Sequence, residues 1–176
     1  MKKFLTIKNI VLVVAFILGL VAFILSFNVN PIIYKGTIAE VDFKNVVWGG
    51  AVWPNYPEDK KIAATALPLV GALLVLVGSL AACCLGFFGE KLFKDAKVRM
   101  IVAIGCGALV VLGGAFFFAT KDSFATNLAL VSSLSKENAL KDLSDFGPEV
   151  ASAILGIVGG LAIVAAEFVP NKQLVK

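Results

Sequence analysis

Histidine is absent from this chain, arginine occurs once, at Arg99, and no asparagine stands two residues before a serine or threonine. Without histidine the commonest general base and the commonest metal ligand are both missing. No glycine-rich phosphate loop, no Gly-x-Ser-x-Gly elbow and no Cys-x-x-Cys pair appears either. The expectation is a protein that is not an enzyme and carries no cofactor and no metal. Charge is scarce too: 16% of the 176 residues are charged against 59% hydrophobic, with a mean hydropathy of +0.93, where soluble domains carry roughly 25% charged side chains. A water-soluble monomer is therefore not expected. The three cysteines, Cys83, Cys84 and Cys106, all fall inside apolar stretches, so no exterior intrachain disulfide is expected. The adjacent Cys83 and Cys84 read as small packing residues in preference to an acylation site.

What is present is four long apolar stretches. The first, Ile10 to Phe27, holds 18 residues without a charge and would rise about 27 Å as a helix, close to the ~30 Å hydrocarbon thickness. The others run from about residue 65 to 88, 100 to 120 and 150 to 169, each long enough to span with some tilt. Lys2, Lys3 and Lys8 ahead of the first stretch resemble a signal-peptide n-region. The apolar run is longer than a usual h-region, however, and no small-x-small cleavage site follows it, so it reads as an uncleaved anchor.

Four crossings put both termini on one side, and the charges say which. Residues 1–9, 89–99 and 167–176 together hold nine basic and three acidic side chains, whereas the two longer loops, 28–64 and 121–149, hold seven basic and nine acidic. Basic residues concentrated on short segments mark the cytoplasmic face, so both ends are expected there. The net charge of +4 thus reads as membrane topology, and a nucleic-acid partner is not expected. The lack of glycosylation acceptors and the use of lysine in place of arginine lean towards a bacterial plasma membrane.

The spans offer little chemistry at depth: Ser26, Thr65, Ser79, Cys106, Thr120, Ser152 and Glu167. Glu167, three residues before Pro170, is expected to snorkel to the inner interface and pair with Lys172, Lys91 or Lys94; a functional intramembrane carboxylate is the rival reading. Small residues recur at four-residue spacing, with Gly78, Ala82 and Gly86 in span two and Ser152, Gly156 and Gly160 in span four. Each set is expected to form one groove along a single helix face, where backbones approach and van der Waals contact drives association. Span three adds Ala103, Gly107, Gly113 and Gly114. Packing within the four-helix bundle claims these surfaces ahead of a homodimer seam.

The first loop has strand-like composition. From Thr37 to Phe43 apolar and acidic residues alternate, and Val46-Val47-Trp48 and Ala51-Val52-Trp53 flank Gly49-Gly50, the pattern of a hairpin with a two-residue turn. In the second loop Asp122 or Ser123 is a helix cap, and Leu128, Val131, Leu134, Leu140, Leu143 and Phe146 recur at helical steps before Gly147-Pro148. The two loops are expected to fold into one exterior cap. Trp48, Trp53 and Tyr56 are its partner-binding candidates, with an aromatic belt or packing under the cap as the plainer role. Glu40, Asp42, Glu58 and Asp59, set among lysines, read as a solvated surface.

Four spans with cytoplasmic ends, a larger strand-rich first loop containing Trp48-Gly49-Gly50 and Trp53, and a shorter second loop resemble the claudin-type tetraspan layout. The likeness is one of topology: that family's first loop carries a cysteine pair after its Trp-rich motif, and this one has no cysteine, so no residue role is carried over. The fold class expected is an all-α membrane protein, a single polytopic domain built as a four-transmembrane-helix bundle, with a small extracytoplasmic β-sheet from the first loop and an amphipathic helix from the second. The function expected is association, as an accessory or scaffold subunit among membrane lipid and a protein partner or second copy. The alternatives are a transporter or channel component, a binder of lipid or another apolar ligand, and an exterior carbohydrate or peptide receptor.

Overall fold

The computed structural model describes residues 6–26, 32–35, 40–47, 50–53, 60–62, 66–131, 135–137 and 147–169; side chains are described for 6–26, 66–130, 135–137 and 147–169. Four of its helices are long and apolar enough to cross a membrane: α1 (Ile7–Leu25), α2 (Ala66–Leu92), α3 (Ala96–Phe117) and, after the shorter α4 (Ala119–Val131), α5 (Gly147–Ala166). Helix starts follow capping chemistry more closely than hydropathy. Thr6 caps α1, its Oγ1 accepting from the Asn9 N–H at 3.2 Å, and Asp95 caps α3, its Oδ1 accepting from the Lys97 N–H at 2.8 Å. The hydrogen-bonded helices therefore begin ahead of the uncharged stretches, and α2 continues to Leu92.

α1 to α3 and α5 form a ring in which each helix packs on the two next to it: α1 on α2, α2 on α3, α3 on α5 and α5 on α1, with α2 and α5 making only slight contact across the centre. Neighbours run antiparallel, as Gly19 meeting Ser79 while Leu12 meets Gly86 shows for α1 and α2. Both α1 and α5 thus have their chain-terminal ends at one end of the bundle, which we call the terminal end, and the opposite end is the loop end.

The bundle is filled with small side chains. Ala15, Ala22, Ala72, Ala82, Ala153 and Ala166 are buried with Leu12, Val75, Val110, Phe117 and Ile163, while the larger aliphatics point outward. On α1 the outward set is Ile10, Val14, Ile17, Val21 and Ile24, a continuous stripe at three- and four-residue steps. In water such a stripe would lose the burial of every large side chain on it. In lipid it costs nothing, and backbones gain by closing on small residues.

Of the stretch between α1 and α2 only backbone segments are described: β1 (Ile32–Lys35), β2 (Glu40–Val47), β3 (Gly50–Trp53) and β4 (Lys60–Ile62), paired antiparallel in chain order. Val47 pairs with Gly50, so Gly50 belongs to a strand and not to the turn that Gly49-Gly50 suggested. α4 begins at Ala119, with only Phe118 between it and the end of α3, so Asp122 lies inside its first turn and does not cap it. Phe124, Ala125 and Leu128 form its buried face, and it touches β4 and the neighbouring ends of α2 and α3. The positions of Leu134, Leu140, Leu143 and Phe146 lie outside the described residues.

Candidate functional site

At the α2–α3 and α3–α5 seams helix contact includes glycine against backbone. At the α2–α3 seam a Cβ on Gly71 would stand 2.7 Å from the Gly113 carbonyl oxygen, and one on Gly113 would stand 2.7 Å from that of Gly71. At the α3–α5 seam a Cβ on Gly107 would lie 2.9 Å from the Gly160 oxygen, one on Gly160 would lie 2.7 Å from the Gly107 oxygen, and one on Gly156 would lie 3.0 Å from Gly114 Cα. Only hydrogen in place of a side chain permits this approach.

The small-residue sets divide differently from the single grooves expected. Gly156 and Gly160 both meet α3, and Ser152 is fully buried with its hydroxyl donating to the Pro148 carbonyl at 2.9 Å. Gly78, by contrast, faces Val110 and the Cys106 carbonyl on α3, whereas Gly86 faces Leu12 and Asn9 on α1, with the buried Ala82 between them in sequence. Span two therefore presents no single groove. Ser79 fills the notch opposite Gly19, its hydroxyl turned to the Leu76 carbonyl at 3.1 Å. Of the three free cysteines Cys84 is exposed, and Cys83 and Cys106 are half-buried.

Polar groups gather at the two ends of the bundle. At the terminal end Glu167 forms an ion pair with Lys8, Nζ to Oε2 2.7 Å, and the Glu167 side chain keeps only 5% of its surface exposed. The expected partners Lys172, Lys91 and Lys94 are replaced by a lysine of α1, because α1 and α5 are antiparallel neighbours and the start of one lies beside the end of the other. Lys172 lies outside the described residues, and Lys91 and Lys94 are exposed on the α2–α3 side. A charge pair so enclosed is costly to break from one side, about 3–5 kcal/mol where burial is complete. Thr6 and Asn9 are buried beside it, and the stem of Arg99 lies across Gly89.

At the loop end stand two buried polar groups, one of which, Glu149, the sequence reading passed over, while the other, Thr120, was placed at the end of span three. Glu149, assigned there to the second loop, sits in the first turn of α5 with 9% of its surface exposed, and Thr120, in the first turn of α4, with 1%. Glu149 Oε2 and Thr120 Oγ1 are the buried side-chain oxygens without a hydrogen-bond partner among the described residues. Each such orphan costs about 1–3 kcal/mol, more for a charged group. One signal could have revealed Glu149: it precedes Gly156 by two turns and so shares the face that meets α3.

The partner-binding candidates are placed only in part. Trp48 and Tyr56 lie outside the described residues; the backbone of Trp53 closes β3, paired with Lys60. No known family model and no curated protein matches this sequence.

Proposed function

We propose that this chain is a multi-pass membrane protein that works by association, as an accessory or scaffold subunit whose exterior cap meets a protein partner or a second copy. The observation that carries the reading is the distribution of side-chain size: glycine and alanine line the interhelical seams, and Ile, Leu and Val face outward on every spanning helix. Such a bundle is built to be solvated by lipid tails and to hold itself together internally. Its buried hydroxyls at Ser79 and Ser152 are turned to carbonyls of their own helices, so neither supports a polar path along the bundle axis. In this reading the terminal end, with its surplus of basic residues, is cytoplasmic in a bacterial plasma membrane. Strands β1 to β4 and α4 then make the exterior cap, a grouping supported by the contact between α4 and β4, and Trp48, Trp53 and Tyr56 supply its contact surface.

Crosslinking and copurification from the native membrane test this. The expected result is one stoichiometric partner, or the chain itself, lost on Trp48→Ala or Trp53→Ala while the bundle stays folded. Ion or solute flux by the purified chain alone in liposomes would refute the proposal.

A further inference from the structure

We propose that the corner where α2 turns into α3 is a binding site for the headgroup of an anionic phospholipid, with the guanidinium of Arg99 taking the lipid phosphate and Lys91, Lys94 and Lys97 supplying positive charge around it. Only Phe93, Lys94 and Asp95 separate α2 from α3, so the four cations stand on one tight helical hairpin at the terminal end. Lys91, Lys94 and Lys97 are exposed, and Arg99 is half-buried. Packing holds Arg99: its stem lies across the buried Gly89, where an added Cβ would stand 2.7 Å from Arg99 Cδ and 3.9 Å from its Nε. Yet its guanidinium has no hydrogen-bond or ion-pair partner among the described residues, and neither has any of the three lysine ammonium groups. A guanidinium presents five donors in a planar fork that matches phosphate oxygens. Fixed by its stem and left without an acceptor among the described residues, this one is set to take an acceptor from outside.

The acids at this end do not supply that acceptor. Glu167 is taken by Lys8 at 2.7 Å, Asp95 caps α3 through the Lys97 N–H at 2.8 Å, and Glu90 is exposed. Residues 1–5 and 170–176 add four lysines and no acid. Residues 90–99 hold four basic and two acidic side chains, so a zwitterionic headgroup, neutral as a whole, leaves the corner unbalanced where an anionic one balances it. The apolar neighbours select a lipid over a free anion: Phe88, Leu92 and Ile101 are exposed beside the cations, a surface for acyl chains once the helices cross a bilayer. Such a site rests on the bundle spanning a membrane. It requires neither association through the exterior cap nor a particular membrane face for the terminal end.

The test places the full chain in phosphatidylcholine vesicles doped with spin-labelled phosphatidylglycerol or spin-labelled phosphatidylcholine, and reads the motionally restricted lipid at the protein surface. Phosphatidylglycerol is expected to associate about fivefold more strongly. Arg99→Gln should bring the ratio close to one, and Arg99→Lys, which keeps the charge and loses the fork, should fall between. The triple variant Lys91→Gln, Lys94→Gln and Lys97→Gln alters exposed side chains only and should also remove the preference, so the site stays testable if Arg99→Gln does not fold. Lys136→Gln, at a lysine paired with Asp122 of α4, should leave the ratio unchanged. Equal association of the two lipids with the unaltered chain would overturn the proposal. So would equal losses in Arg99→Gln and Lys2→Gln, which would reveal diffuse attraction to the basic end, or displacement of phosphatidylglycerol by inorganic phosphate at constant ionic strength, which would make a free anion the ligand. No restricted lipid of either kind would refute the crossing of the bilayer together with the site, whereas the other negative results refute the site alone.

Discussion

Replacing Gly160 by alanine places one methyl group at the tightest part of the α3–α5 seam. Its carbon would stand 2.6 Å from Val111 Cγ2, 2.7 Å from the Gly107 carbonyl oxygen and 2.7 Å from the Val111 nitrogen. The valine methyl can turn aside; the two backbone atoms cannot. Ordinary contact begins at 3.4 Å, so the two helices must part by about 0.7 Å at this level, which also opens the facing contact at Gly107. Overpacking of this kind costs about 1–3 kcal/mol. For a chain of this size that corresponds to about 2 to 12 °C in unfolding midpoint. The control is Gly105→Ala on the same seam-forming helix α3, where an added Cβ meets nothing within 4 Å. There the better helix propensity of alanine should leave stability unchanged or raise it by up to about 1 kcal/mol. Both variants are compared with the parent chain in one detergent, by the temperature at which the monodisperse size-exclusion peak is lost. If Gly160→Ala were neutral, or Gly105→Ala equally damaging, glycine contact would not be what holds α3 to α5.

Two further pairs of substitutions probe the contacts of α1. At the terminal end, Lys8→Met or Glu167→Gln alone should destabilise by about 2 kcal/mol or more, because each leaves one enclosed charge unpaired, while the double variant should recover most of the loss; a denaturant titration of all four forms gives the coupling, and additive losses would place the pair in water. On the α1–α2 seam, Gly19→Ala puts a methyl 2.5 Å from Ser79 Oγ and 2.8 Å from Ser79 Cβ. Its cost of about 1–3 kcal/mol should be largely relieved by Ser79→Gly in the same chain, and a thermal series that shows no relief would mean that the notch is not shared.

The four spanning helices were legible because a run of uncharged residues as long as the hydrocarbon core is a property of composition alone. Which faces meet is not. A four-residue step turns a helix by about 40° beyond a full turn, so two steps turn it by about 80°, close to the quarter turn that separates two neighbours in a ring of four. Gly78 and Gly86 are two steps apart and reach different helices, whereas Gly156 and Gly160 are one step apart and stay on the same one. Spacing by itself identifies a small residue's row; only the ring order of the helices says which partner that row meets at each level.

The same reasoning explains why the charged ends were misread. A span that starts only where charge has ended excludes, by construction, an ionisable residue that the helix carries into the bundle ahead of that point. Glu149 fell outside such a limit by one residue, and Glu167 was matched to basic residues near it in sequence or on the facing turn. A helix continued along its own face gives a different result: the line through Gly160, Gly156 and Ser152 runs on to Glu149, so a carboxylate is carried to the seam whatever the hydropathy says. For Glu167 even the face is insufficient, since its partner depends on α1 lying antiparallel beside α5. Lys8 becomes its neighbour only when the ring closes. Charges at the ends of spanning helices are therefore settled by tertiary neighbours, and it is at these ends that the chain keeps the polar chemistry its apolar interior lacks.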